Sequence, residues 1–180
     1  TVNNTKLSLL HRARDLQDVT DLSPVFLEFQ EEDQLLILSA PIFSDDHDRI
    51  FSALCEHIAQ CSRYRLNSGY PYGAMLPLSG LRARDWETYG YFFTETYQPP
   101  EKIPSSIKTR VKKAGTYAAV YLRGNYYESE EAFRKLLAYL EEHCLTPGEF
   151  VYKEAVLDEL SAKEEEYLTR ISVRCLGLLP

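Results

Sequence analysis

The residue in this sequence best placed to do chemistry is Glu154. It lies in the run Phe150-Val151-Tyr152-Lys153-Glu154-Ala155-Val156-Leu157-Asp158, whose alternation reads as a strand. Successive side chains on a strand point to opposite faces. Phe150, Tyr152, Glu154, Val156 and Asp158 therefore share one face, and Val151, Lys153, Ala155 and Leu157 the other. A carboxylate set among aromatic rings loses solvation unless a cation or a donor reaches it. No basic residue stands two positions from Glu154 on its own face. A ligand cation would supply the missing charge, with each tyrosine face adding roughly 0.5–2 kcal/mol by cation–π attraction. The competing reading is a surface glutamate, or one bridged to Arg123 across strands and worth little where exposed. The residues alone leave both open.

Tyrosine is abundant: 13 Tyr stand beside 8 Phe and 1 Trp. Its flat apolar face and polar tip suit pockets for flat or cationic organic molecules, and equally the rim of a β-rich core. Two further runs place tyrosines in strand alternation. Tyr89, Tyr91, Phe93, Glu95 and Tyr97 share one face over 89–97. Tyr117, Ala119, Tyr121 and Arg123 share one over 115–123, opposite the small apolar set Ala118, Val120 and Leu122. The small set fits beneath a helix, which leaves the tyrosines on an open side.

Other chemistries find less support. With 20 basic against 27 acidic residues, net −7, the chain is poorly suited to gripping a phosphate backbone. The basic cluster Lys108, Arg110, Lys112 and Lys113 reads as a solvated loop. Cys55, Cys61, Cys144 and Cys175 form no CxxC and no zinc spacing, so they are expected to be reduced, metal-free and mostly buried. His57 and Cys61 can share a helix face, but two ligands do not make a site. His11, His47, His57 and His143 all fall in helices or helix caps, away from the open face, and none pairs with a nucleophile. No metal, cofactor or catalytic residue is assigned. No apolar run approaches a membrane span, and cytoplasmic localisation is the expectation.

The elements that must position Glu154 come as a unit that occurs twice, about 80 residues apart. The first unit, about 25–97, reads as a strand over 27–41, then a helix over 45–61 capped by Ser44. Phe51, Leu54, Cys55 and Ile58 form that helix's packing stripe, and strands at 72–78 and 89–97 follow. The second, about 115–176, reads as a strand over 115–123 and a helix over 129–144 capped by Ser129. Its stripe is Phe133, Leu136, Leu137 and Leu140; Pro147-Gly148 turns the chain, and strands at 150–158 and 167–176 complete the unit. Phe51 stands against Phe133, Tyr72 against Tyr152, and Tyr89 against Tyr167. The expected fold is α+β: two β-α-β-β repeats about a pseudo-twofold, with one antiparallel sheet. Both long helices lie on one face and a ligand cleft between repeats on the other. Residues 23–180 form this domain. Residues 1–22 read as a leading helix at 6–16, with Leu9, Leu10, Ala13 and Leu16 on one stripe, and a linker.

The run Tyr117-Ala118-Ala119-Val120-Tyr121-Leu122-Arg123-Gly124-Asn125-Tyr126-Tyr127 resembles the strand-and-turn signature of the GyrI-like effector-binding domain family. So do 147–158 and the closing Glu166-Tyr167-Leu168-Thr169-Arg170-Ile171. The likeness is good over 115–176 and mainly architectural over 25–97. It implies a ligand-sensing module of the kind that forms the C-terminal half of MerR-type and AraC-type transcription regulators, multidrug sensors among them. Such modules bind amphipathic, often cationic, molecules between the repeats. The family's key carboxylate falls on Glu154, and its ligand-lining aromatics on Tyr152, Tyr121 and Tyr91, with Tyr117 and Phe93 beside them. The resemblance implies DNA contact only through a DNA-binding domain outside this sequence, a homodimeric full-length protein and no membrane partner. The helix at 6–16 would then be the end of a connecting helix.

Two other functions are compatible with the resemblance. One is a GyrI-like hydrolase acting on reactive small molecules, with Glu154 as general base. The other is a stand-alone protein-binding module.

Overall fold

A computed structural model describes residues 22–66, 72–124, 128–157 and 167–178. The predicted helix at 6–16, Asn125, Tyr126, Tyr127, Asp158 and Glu166 lie outside the described residues.

The elements follow in the order β1 (Phe26–Gln30), β2 (Gln34–Leu38), α1 (His47–Arg63), β3 (Gly73–Pro77), α2 (Leu78–Arg82) and β4 (Tyr91–Glu95). Then come β5 (Thr109–Lys112), β6 (Gly115–Arg123), α3 (Glu130–Glu142), β7 (Thr146–Leu157) and β8 (Leu168–Leu176). All eight strands form one antiparallel sheet in the order β1-β6-β8-β7-β3-β4-β2-β5. The order is a palindrome of the two repeats: β6-β8-β7 mirrors β2-β4-β3, and the repeats join where β7 pairs with β3.

The sequence expectation of one strand over 27–41 is corrected. Glu31, Glu32 and Asp33 break it into β1 and β2, which part to opposite ends of the sheet. Likewise β5 and β6 are separated by only two residues, yet β5 pairs with β2 and β6 with β1. Each repeat thus lends its leading strand to the other repeat. Such short links between opposite ends require the sheet to curl into a half-barrel. The seam is pinned where Gln30 Nε2 donates to the Lys112 and Lys113 carbonyls, and where Asp33 accepts from Ala114 N–H at 2.8 Å and Lys113 Nζ at 3.1 Å.

The convex face carries both long helices and the main core. Ala118, Val120, Val151, Ile171 and Val173 of the sheet meet Ala132, Phe133, Leu136 and Leu140 of α3 and Ala53 of α1. The α3 stripe is the predicted one. The α1 stripe is so only in part: Leu54 packs against the core, but Phe51 is 68% exposed and Ile58 45%, and Ala53, His57 and Cys61 are the buried residues. Helix α1 carries apolar residues on two sides, and the side that packs holds Ile50, Ala53, Leu54, His57 and Cys61. Its N-cap is Asp46, accepting from Arg49 N–H at 3.0 Å, rather than Ser44. Pro147 and Gly148 lie inside β7, at an irregularity in its pairing with β8, and do not form a turn. Tyr89 falls on the convex side against Phe92, because Gly90 interrupts the alternation before β4 begins. All four cysteines are free thiols; Cys61 and Cys175 are buried, but Cys55 and Cys144 are exposed.

Candidate ligand site

The concave face is built by alternate residues of six strands. Register places Leu38, Phe93, Gly73, Glu154, Arg170 and Tyr121 in one row across it. Glu154 is opposite Gly73, on the line where the two repeats meet. A Cβ at Gly73 would lie 2.5 Å from the Phe93 ring and 2.9 Å from the Lys153 carbonyl, so only glycine lets that ring cross the strand. Leu36, Leu38, Met75, Phe93, Tyr117, Phe150 and Tyr152 pack on this face as a second buried apolar cluster, none more than 6% exposed, with Tyr91 against it. The Tyr152 ring meets Phe93 edge-on at 5.8 Å and Tyr117 at 6.4 Å.

Glu154 is not alone on this face: of the two readings left open, the bridged one holds, with Arg170 rather than Arg123 as the cross-strand partner. Its Oε2 accepts from Arg170 Nη1 at 3.1 Å and from Lys112 Nζ at 3.4 Å. Arg170 also donates to Glu28 Oε2 at 2.9 Å and to Ser172 Oγ at 2.9 Å. Glu28 and Lys112 reach this centre from the two exchanged strands, β1 and β5. The basic cluster read as a solvated loop is therefore a strand, and Lys112 is buried, its side chain 2% exposed. Its ammonium lies 4.7 Å from the Tyr152 ring centre and 5.1 Å from that of Tyr117.

Charge and burial oppose each other here. Burial pushes the Glu154 carboxyl up, but Lys112 and Arg170 outweigh it and hold the group below the ordinary carboxylate range. Burial lowers the Lys112 ammonium against the pull of Glu154. Burial, together with the charge of Glu154, raises Glu95, the third carboxylate of the region, against a 2.9 Å hydrogen bond from Tyr97 Oη. Burial likewise raises the phenols of Tyr117 and Tyr152.

Of the predicted residues, the structure brings Glu154, Tyr152, Tyr117, Phe93 and Tyr91 onto one surface. Tyr121 is on the same face but in a separate cluster, stacked on Phe26 at 5.7 Å and packed with Leu168 and Val156. Sequence reasoning missed Lys112, Arg170 and Glu28. Arg170 had a visible signal, since Arg170, Ser172 and Arg174 alternate with Thr169, Ile171 and Val173 and put polar groups on the open face. Among the described residues no three His, Cys, Asp or Glu side chains gather as metal ligands. A second concavity of about 600 Å3 lies between Arg84–Glu87 and the start of α3, and none of the predicted residues lines it. There Trp86 already stacks on Phe133 and under Arg134, so its ring is occupied.

The half-barrel matches solved structures over nearly its whole length. The C-terminal domain of EcmrR superposes with a TM-score of 0.61 at 14% identity, over 86% of this chain and 98% of that one. The fold is that of the GyrI-like effector-binding domains. A hydrolase from Listeria innocua superposes with a TM-score of 0.58 at 9% identity, over 92% of this chain and 97% of that one. SAV2435 bound to tetraphenylphosphonium does so with a TM-score of 0.56 at 11% identity, over 86% and 95%. In sequence, the chain is similar to the multidrug-efflux transporter 2 regulator of Bacillus subtilis, 28% identical over 160 residues. That match takes in 89% of this chain and 55% of the relative, so the chain spans about half the length of the curated relative it matches. No family model matches the chain. Among the described residues no helix is long and apolar enough to cross a membrane.

Proposed function

We propose that residues 23–180 are the small-molecule-sensing domain of a transcription regulator, and that the ligand, an amphipathic organic cation, binds in the concave cleft. DNA contact and dimerisation belong to a part of the protein outside this domain. The observation that carries the reading is the composition of the cleft floor. Tyr152, Tyr117, Phe93 and Tyr91 share the concave face with an ionised carboxylate at the junction of two repeats. A ligand seated there touches both repeats, so its binding energy can bias their arrangement, as a sensor requires. The similarity to a multidrug-efflux regulator and the fold shared with a tetraphenylphosphonium-bound protein support the same reading.

The fold is also shared with a protein named a hydrolase. The site favours sensing, because a general base works best with a pKa near the operating pH. Glu154 is held in the opposite direction by Lys112 and Arg170.

The test is a titration of wild type and Glu154→Gln with tetraphenylphosphonium and with neutral triphenylphosphine oxide. Truncating one partner of a buried charge contact costs about 2–5 kcal/mol, so the cation should weaken tenfold or more and the neutral probe much less. Equal losses for both probes would refute the reading. The same substitution leaves Lys112 and Arg170 short of a counter-charge, so it should also lower stability by about 1–3 kcal/mol in urea denaturation. This reverses what an unpartnered carboxylate would give.

A further inference from the structure

Strand β5 ends the sheet, paired on one edge only, with β2. Three cations of this segment, at alternate positions, each cover an aromatic ring of the cleft. Lys108 Nζ lies 4.8 Å from the Tyr91 ring centre and donates to its Oη at 3.0 Å. The Arg110 guanidinium lies 4.9 Å from the Phe150 ring centre. Lys112 lies deepest, between the Tyr152 and Tyr117 rings and 3.4 Å from Glu154.

These are the groups that a ligand cation would use. Two tyrosine faces and a carboxylate oxygen converge on one point, and an ammonium of the protein already stands there. Two like charges repel at such a separation, the more so because Lys112 is shielded from water. Of the two cations on Glu154, Lys112 is the one that can leave. Arg170 keeps Glu28 and Ser172 at 2.9 Å whether or not Glu154 turns to a ligand. Lys112 has no acceptor other than Glu154 among the hydrogen bonds and ion pairs of this centre, and it sits on a flexible four-carbon stem of the edge strand.

We propose that Lys112 is a resident cation holding the ligand's place, and that a cationic ligand enters by exchanging with its ammonium. The inference rests on the cleft being the ligand site and adds a rule for what it accepts. A small ammonium ion offers no more than Lys112 itself and gains nothing by exchange. A bulky aromatic cation adds ring contact with the Tyr152 and Tyr117 faces that the ammonium now covers, and displaces it. Lys112 thereby sets both the affinity threshold and the selectivity for large cations.

The test titrates wild type, Lys112→Met and Glu154→Gln with tetraphenylphosphonium and with tetramethylammonium, and maps lysine acetylation by mass spectrometry with and without tetraphenylphosphonium. Lys112→Met should bind tetraphenylphosphonium at least tenfold more tightly than wild type and gain in tetramethylammonium binding. In wild type, Lys112 should be protected from acetylation when free and become reactive when tetraphenylphosphonium saturates the protein. The acetylation arm needs no variant, so it decides the matter even if Lys112→Met folds poorly. Unchanged or weaker binding by Lys112→Met, or a Lys112 that stays protected at saturation, overturns the exchange. The Glu154→Gln arm separates the two failures. If binding depends on Glu154 but not on Lys112, only the exchange falls; if it depends on neither, the cleft reading falls with it.

Discussion

The two repeats share a frame and differ in what they put on it. Across the concave row, Phe93 of the first repeat occupies the place that Arg170 occupies in the second, and Gly73 the place of Glu154. The exchanged strands follow the same rule: Arg110 pairs with Leu36 as Phe26 pairs with Ala119, which sets Lys112 of β5 against Glu28 of β1. At these two central positions of the row the first repeat supplies ring and space and the second supplies charge. A pseudo-twofold gives a cleft with matching walls, but a single carboxylate near its axis can exist only if the symmetry is broken there.

The helices diverge too. Helix α3 buries Ala132, Phe133, Leu136 and Leu140. Helix α1 buries Ala53, His57 and Cys61. Relative to the alignment of Phe51 with Phe133, the buried line of α1 is displaced by three residues, a rotation of about 60° at 3.6 residues per turn. The largest expected effect tests the α3 side of this contrast. Phe133 is 1% exposed, central to the convex core and stacked on Trp86 at 6.2 Å. Phe133→Ala should cost about 3–5 kcal/mol in urea denaturation. A loss under about 1 kcal/mol would mean that α3 is not the anchor of the convex face.

A smaller effect comes from the polar seam under α1. His57 Nε2 lies 2.9 Å from Thr94 Oγ1, and its Nδ1 is buried without a partner. Burial pushes the imidazole down to about 4. The unfolded chain takes up this proton as pH falls through about 6.5, and the folded chain does not until about 4. The contribution of His57 is therefore intact above pH 6.5 and lost progressively as pH falls towards 4. It amounts to about 2 kcal/mol between roughly pH 6.5 and 5. Stability of wild type measured over that window should fall relative to His57→Gln. Parallel curves would place His57 in contact with water and undo the account of the α1 seam.

Much of this architecture was legible in the sequence. Period-two alternation sorted the faces of β6 and β7 correctly, because both strands are central and have a core on one side. It placed Tyr152, Tyr117 and Phe93 on the side of Glu154 for the same reason. What it could not reach was strand partnership. Nothing local says that β1 and β5 leave their own repeats, so the ends of Glu28 and Lys112 could not be brought to Glu154. A lysine in a cluster of four basic residues also reads as solvated, and burial of Lys112 depends on a carboxylate 42 positions away. Helix α1 failed for another reason. Phe51 and Ile58 strengthen the periodic signal, while the packed side runs through Ala53, His57 and Cys61, with Ile50 and Leu54 at its margin.

That last failure can be tested by the smallest effect expected here. If the periodic signal in α1 reported its buried face, Phe51 would behave like Phe133. The structure leaves the Phe51 side chain 68% exposed on the outer side of the helix. Substitutions at such surface positions usually stay within about 0.5 kcal/mol. Phe51→Ala should therefore fall in that range, with a slight gain possible from alanine's better helix propensity. A direct comparison of Phe51→Ala with Phe133→Ala in the same denaturant series measures how far the two halves have come apart. A loss of about 2 kcal/mol or more at Phe51 would require that something covers this side of α1, and would restore the symmetry of the two helices that the sequence suggested.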